Sequence, residues 1–268
     1  MLDALLRRDR QVILCALLML TVLAWGYLFW LAGHMANGSP GTTMADMAMP
    51  GMDMAPALTT TPWAVTDVLL AFIMWTVMMV GMMTPSVAPV ILLYARVGRH
   101  AASDGKPFAA TGWFAAGYFL AWTGFSLLAA VAQVVLRGTA LLTPMLSSAN
   151  DLLVGVILIF TGLYQWSRLK NACLMQCREP LVFIQRHGGF KRHAAGSLGL
   201  GLRHGFYCIG CCWAFMLLLF VGGVMNILWI AALAVLVLLE KIPMKGRLLS
   251  RATGTILIAI GLFMLYRS

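Results

Sequence analysis

The run His204-Gly-Phe-Tyr-Cys208-Ile-Gly-Cys211-Cys212-Trp213 concentrates one imidazole and three thiols, side chains that bind soft metals. On a helix, His204, Cys208 and Cys211 fall within about 60° of one another, with Cys212 at the margin. Upstream, Cys173 and Cys177 stand one helical turn apart in Asn171-Ala-Cys-Leu-Met-Gln-Cys177-Arg. Lys170, Arg178 and Arg203 are close in sequence, and positive charge favours the thiolate form that ligates. Five of the six cysteines belong to this constellation, and Cys15 stands apart. Zinc and iron–sulfur clusters use the same thiolate ligands as copper. Three non-metal readings compete: cysteines packed as small hydrophobes, a disulfide, which a reducing cytoplasmic face disfavours, and a membrane thiol oxidoreductase using Cys211-Cys212 with Cys208. The last lacks a Cys-x-x-Cys in a thioredoxin-like βαβ context.

Methionines tilt the choice towards Cu(I). The stretch Met44-Ala-Asp-Met47-Ala-Met49-Pro-Gly-Met52-Asp-Met54 places five thioethers in a polar segment with no core to fill. Thioether sulfur is a soft, neutral ligand that selects Cu(I) over hard cations, and His34 lies nearby. A second group, Met74, Met78, Met79, Met82 and Met83, precedes Thr84-Pro85. At 100° per residue Met74, Met78 and Met82 form one drifting stripe, a pattern that suits core packing and a conduit alike. Met78-xxx-Met82 is similar to the Met-xxx-Met element of eukaryotic copper uptake channels. Pro85 and Pro89 are expected to kink or open this helix.

Several motifs together resemble one family, the bacterial predicted metal-binding integral membrane proteins grouped as a domain of unknown function. They are Trp75-xx-Met78-Met79-xx-Met82-Met83-x-Pro85-Ser86, the segment from Leu163-Tyr164-Gln165 through Lys170-xx-Cys173-Leu-xx-Cys177-Arg178, His204-Gly205-xx-Cys208-xx-Cys211-Cys212-Trp213, and Glu240-Lys241-xx-Met244. The resemblance implies a membrane metal-binding role and brings no established reaction or transported species.

The elements that must position these ligands follow from composition. The chain is 61% hydrophobic and 10% charged, with a mean hydropathy of +0.88. Soluble domains carry about 25% charged residues, so the expected solvent is a bilayer. Its hydrocarbon core takes about 20 apolar residues per helix. An all-α bundle of seven spans is expected, at 12–32, 67–94, 109–136, 151–167, 206–222, 224–239 and 252–266. The stretch 206–239 as one helix would be about 50 Å long, and Gly222-Gly223 breaks it into a hairpin. With the N-terminus inside, 17 of the 19 Lys and Arg residues fall on the cytoplasmic side, leaving Arg137 and Arg267 outside, as the positive-inside rule requires. The segment 33–62 is then a periplasmic loop, and 168–205 a basic cytoplasmic loop leading to a Cys/His site at the mouth of span five.

The net charge of +10 lies in loops beside spans and needs no partner beyond anionic headgroups, so nucleic acid is not expected. No Asp, Glu, Lys or Arg falls in the middle of an expected span, which disfavours proton-coupled transport, and no Walker-A motif supports a nucleotide-driven pump. The reading is a multi-pass protein of the bacterial inner membrane, not an enzyme, that moves or delivers Cu(I). Met44, Met47, Met49, Met52 and Met54 would capture the ion and Met78 and Met82 guide it. His204, Cys208, Cys211 and Cys212 would receive it, helped by Cys173 and Cys177. A cytoplasmic metallochaperone or a metal-requiring membrane oxidase is the expected partner, and metallation of that oxidase without transport is the alternative.

Overall fold

The computed structural model describes residues 2–37, 65–103, 109–138, 151–242 and 246–267, and within them the ordered elements are all helices. The methionines Met44, Met47, Met49, Met52 and Met54 lie outside the described residues. Helix α1 (Leu2–Asn37) carries the uncharged run of 24 residues from Gln11 to His34. It extends four residues past the start expected for the loop at 33. Helix α2 (Val65–Ser103) keeps Pro85 and Pro89 inside an unbroken helical assignment. Thr84 and Ser86 flank Pro85 and donate their hydroxyls to the carbonyls of Val80 (2.6 Å) and Met83 (3.0 Å). Helix α3 (Thr111–Gly138) follows.

Helices α4 (Asp151–Trp166) and α5 (Arg168–Arg178) are bent by 63° at Ser167. Ser167 causes the break by leaving the helical region and capping α5, its side chain accepting from the Lys170 amide at 3.1 Å. Short α6 (Pro180–Arg186) opens on Pro180, where the missing N–H costs nothing. Gly188 and Gly189, at φ +82° and +71°, then turn the chain.

Helix α7 (Ala194–Leu217) runs almost directly into α8 (Leu219–Gly222). Gly223 adopts φ +91°, a conformation that only glycine takes without strain. Asn226 then caps α9 (Ile227–Glu240) by accepting from the Trp229 amide at 3.2 Å, while the Trp229 indole donates to the Leu218 carbonyl freed at the break (2.7 Å). The expected break at Gly222-Gly223 is therefore present. Helix α10 (Gly246–Arg267) completes the chain.

One expectation needs correction. Residues 168–205 are not a loop, because they contain α5, α6 and the first half of α7. The helical stretch 194–222 is 29 residues long, so the helix begins twelve residues before the start expected for span five and carries Arg203 and His204 in its first half. Among the described residues five helical stretches are long and apolar enough to cross a membrane: Gln11–His34, Val65–Arg99, Thr111–Arg137, Ala194–Gly222 and Gly246–Arg267. The bent pair α4/α5 passes the same test only as a unit. The apolar α9, with 14 residues, spans about 21 Å at 1.5 Å per residue, short of a hydrocarbon core of about 30 Å.

Two glycine seams hold the bundle. Between α3 and α7, a Cβ on Gly201 would collide with the Phe114 backbone carbonyl, one on Gly117 with that of Leu198, and one on Gly205 would meet the Ala121 methyl at 2.5 Å. Between α4 and α10, a Cβ on Gly162 would lie 2.7 Å from the Gly254 carbonyl, and one on Gly261 2.9 Å from the Gly155 carbonyl. Small residues let helix backbones approach where lipid provides no hydrophobic drive for association. The first seam sets the metal site, because it presses Tyr118 of α3 against the turn of α7 that carries Cys208.

Candidate metal centre

Helix α7 presents Cys208, Cys211 and Cys212 to the interior, each at most 2% exposed. The 63° bend at Ser167 swings α5 across α7, which brings Cys177 to them. The Sγ atoms of Cys177, Cys208 and Cys211 all lie within 4.8 Å of one another. With metal–sulfur bonds of about 2.3 Å, as in zinc thiolates, three coplanar sulfurs stand about 4.0 Å apart. Closing on an ion therefore requires rotamer-scale adjustment, not backbone rearrangement. All five cysteines of this region are free thiols.

The remaining expected ligands divide. Cys212 is next to the triad and its thiol donates to the Cys208 carbonyl at 3.0 Å, as does that of Cys211. His204 lies one turn earlier, 2% exposed, with its ring against those of Phe114, Tyr118 and Phe183. Its Nδ1 is buried and has no hydrogen-bond partner. A buried polar nitrogen left unpaired is costly, and a metal ion is one partner that would satisfy it. Cys173, although one turn from Cys177, points elsewhere: a Cβ on Gly210 would meet its Sγ at 2.8 Å, so it rests on a different strip of α7. Met78 and Met82 are buried in the core at 0% and 2% exposure, with Met79 and Met83 beside them, and Trp75 between Met74 and Met78 is tied to Gln133 of α3 at 2.6 Å.

Two residues not foreseen as part of the site touch Cys208, and a third, Ser86, reaches it through one of them. Tyr118 brings its hydroxyl to 3.1 Å from the sulfur, and Lys241 brings its ammonium to the same distance. Lys241 also donates to Ser86 at 2.7 Å, joining the end of the methionine row on α2 to the cysteines on α7. Lys241 is thus the cation in direct contact with a ligand sulfur, while Lys170 and Arg178 are near enough to act on the cysteines through charge. Arg203 is exposed, and Arg178 donates to the backbone carbonyl of Glu240 at 2.5 and 3.0 Å. Lys170 is fully buried and pairs with Glu240 at 2.6 Å, with Gln165 as a further acceptor and the Phe215 ring 4.4 Å from its ammonium. This pair joins α5, which carries Cys177, to the end of α9, which leads into Lys241, so it sets the two walls on either side of Cys208. The co-occurrence of Gln165, Lys170 and Glu240-Lys241 in the motifs was the available signal, and it gave no pairing.

Residues 72–264 match the family model described as PpoB2, a copper chaperone. The chain belongs to the PpoB2 copper chaperone family. The matched range begins in α2 and ends in α10, so it contains the sulfur triad, His204, Lys241 and both methionines of the expected conduit. No curated protein and no solved structure matches the chain. Family membership and the cysteine cluster together support metal binding, and the family's description identifies copper handling as the activity to explain.

Proposed function

We propose that this chain is a membrane-embedded Cu(I) chaperone. It holds one ion on Cys177, Cys208 and Cys211, with Cys212 and His204 as adjacent donors, and hands it to a copper-requiring enzyme. The observation that carries this reading is the convergence of three sulfurs from two helices that a bend brings together. Thiolates are soft ligands suited to Cu(I), and the description of the matching family favours copper over the zinc and iron–sulfur alternatives that use the same ligands. The part played here is carriage without catalysis. Delivery is favoured over transport because the methionine row is packed as core and its end is closed by the Ser86–Lys241 contact.

The proposed setting is the bacterial inner membrane with seven apolar segments, counting α4/α5 as one bent span and α9 as a short one, and with the N-terminus in the cytoplasm. Reporter fusions at positions 45 and 190 test this, with activity expected on opposite sides. The function is tested by anaerobic Cu(I) titration of the purified full chain against a chromophoric chelator. One tightly held Cu(I) per chain is expected, lost in the Cys208→Ser/Cys211→Ser variant and retained in Cys15→Ser. Equal Cu(I) retention in all three proteins would remove the reading. Unchanged total cell copper with an unmetallated partner enzyme in the double variant distinguishes delivery from import.

A further inference from the structure

The sulfurs that hold the ion are buried, and a bare cation cannot cross the intervening apolar material without heavy desolvation cost. Some donor nearer the surface must bridge that gap. Next to the cysteines, the phenyl ring of Phe183 on α6 carries an imidazole on each of two helices. His187, at the end of α6, lies with its ring 4.5 Å from that phenyl centroid, and His204 of α7 with its ring 5.0 Å from it. Tyr207 completes the wall, 5.8 Å from both Phe183 and His187. His187 is only partly buried, whereas Phe183 and His204 are buried.

The hydrogen bonding of His187 fixes which nitrogen is available. Its Nδ1 lies 2.8 Å from the Phe183 carbonyl oxygen. A carbonyl can only accept, so Nδ1 carries the proton and the neutral ring presents its lone pair at Nε2. Imidazoles that ligate metals are commonly oriented in this way, by donating their other N–H to a backbone carbonyl. The buried Nδ1 of His204 has no hydrogen-bond partner, and His204 precedes Cys208 by one helical turn. A partly exposed ligand nitrogen, a buried unsatisfied one and the thiols thus follow one another inward along a single aromatic wall.

We propose that His187 is a transit ligand for Cu(I), accepting the ion at the surface and passing it by way of His204 to Cys208, Cys211 and Cys177. The ion keeps its oxidation state at every step. One copper–nitrogen bond breaks as the next copper–nitrogen or copper–sulfur bond forms, and each ligating thiol releases its proton to the buffer. The idea rests on the Cu(I) chaperone reading of the triad.

The test is stopped-flow loading of the full chain in nanodiscs from the Cu(I)–bicinchoninate complex, with equilibrium affinity measured in parallel. His187→Ala and His187→Gln are compared, because glutamine can keep a donor for the Phe183 carbonyl while supplying no imidazole nitrogen. Both are expected to load about tenfold more slowly than the native chain, as a barrier higher by about 1.4 kcal/mol would dictate, with affinity unchanged. Added 1-methylimidazole should restore the rate of the alanine variant. Native loading rates in both variants, or a normal rate in His187→Gln alone, would overturn the transit role. A loss of affinity matching that of Cys208→Ser/Cys211→Ser would also overturn it, by making His187 part of the holding site. Failure of the chaperone reading would look different, since the cysteine variant would then bind Cu(I) normally.

Discussion

Replacing Glu240 by leucine leaves the Lys170 ammonium without its counter-ion at a site with no solvent exposure. Three contacts survive the change. Gln165 still accepts from Lys170, the Phe215 ring stays 4.4 Å from the ammonium, and Arg178 keeps its bonds to the backbone carbonyl of residue 240. Those contacts do not supply the missing negative charge, so the substitution is expected to destabilise the protein by about 3–5 kcal/mol, the usual cost of breaking a buried pair from one side. Removing both charges, in Lys170→Met with Glu240→Leu, is expected to be close to neutral, because the desolvation cost of each ion disappears with the ion. The pair is also imperfectly satisfied, since Glu240 Oε1 and Gln165 Nε2 lack hydrogen-bond partners. Thermal unfolding followed by size-exclusion fluorescence in a fixed detergent measures the order of stability, and Cu(I) titration of each protein reports the triad. A single variant as stable as the double, or a double as damaged as the single, would refute the reasoning from charge burial.

Cys177→Ser should weaken Cu(I) binding markedly while Cys173→Ser leaves stoichiometry and affinity intact, because only Cys177 joins the sulfur triad; chelator competition checks both. Gly201→Val should prevent stable folding, since its Cβ would collide with the Phe114 carbonyl; recovery of monodisperse protein after extraction is the measurement. Met78→Leu with Met82→Leu should cost less than about 1.5 kcal/mol, as volume-conserving core changes do, and should leave Cu(I) affinity unaltered; a lost or slowed loading step would instead make the row a conduit.

Much of the site was legible because it is local. His204, Cys208 and Cys211 share a face through helical spacing alone, and the Gly222-Gly223 break follows from an apolar run too long for a bilayer. The rest depends on contacts distant in sequence. Cys173 and Cys177 are equivalent by spacing, and only the rotation of α5 against α7 admits one of them to the triad. Lys170 reads as a loop cation until Glu240 is brought beside it from the end of α9. Ser86, Tyr118 and Lys241 come from three separate segments, and no periodicity points Tyr118 or Lys241 at Cys208, or Ser86 at Lys241. Arg203 and His204, among several glycines, dilute the hydropathy of the first half of α7, so the start of the helix is not legible from the apolar run. Those same glycines are what lets α3 approach.

The two glycine seams also impose a sequence of events on biosynthesis. Helix α3 is made well before α7, and α4 well before α10, so each seam stays open until its later partner emerges from the ribosome. During that interval the grooves along Gly117 and Gly162 lack the helix that fills them. Closing the first seam brings Tyr118 to Cys208, and the stretch that ends in Glu240 and Lys241 is made later still. The cysteine cluster is therefore one of the last parts of the protein to be completed, and a nascent chain cannot present Cys177, Cys208 and Cys211 in their final geometry before its frame is nearly finished.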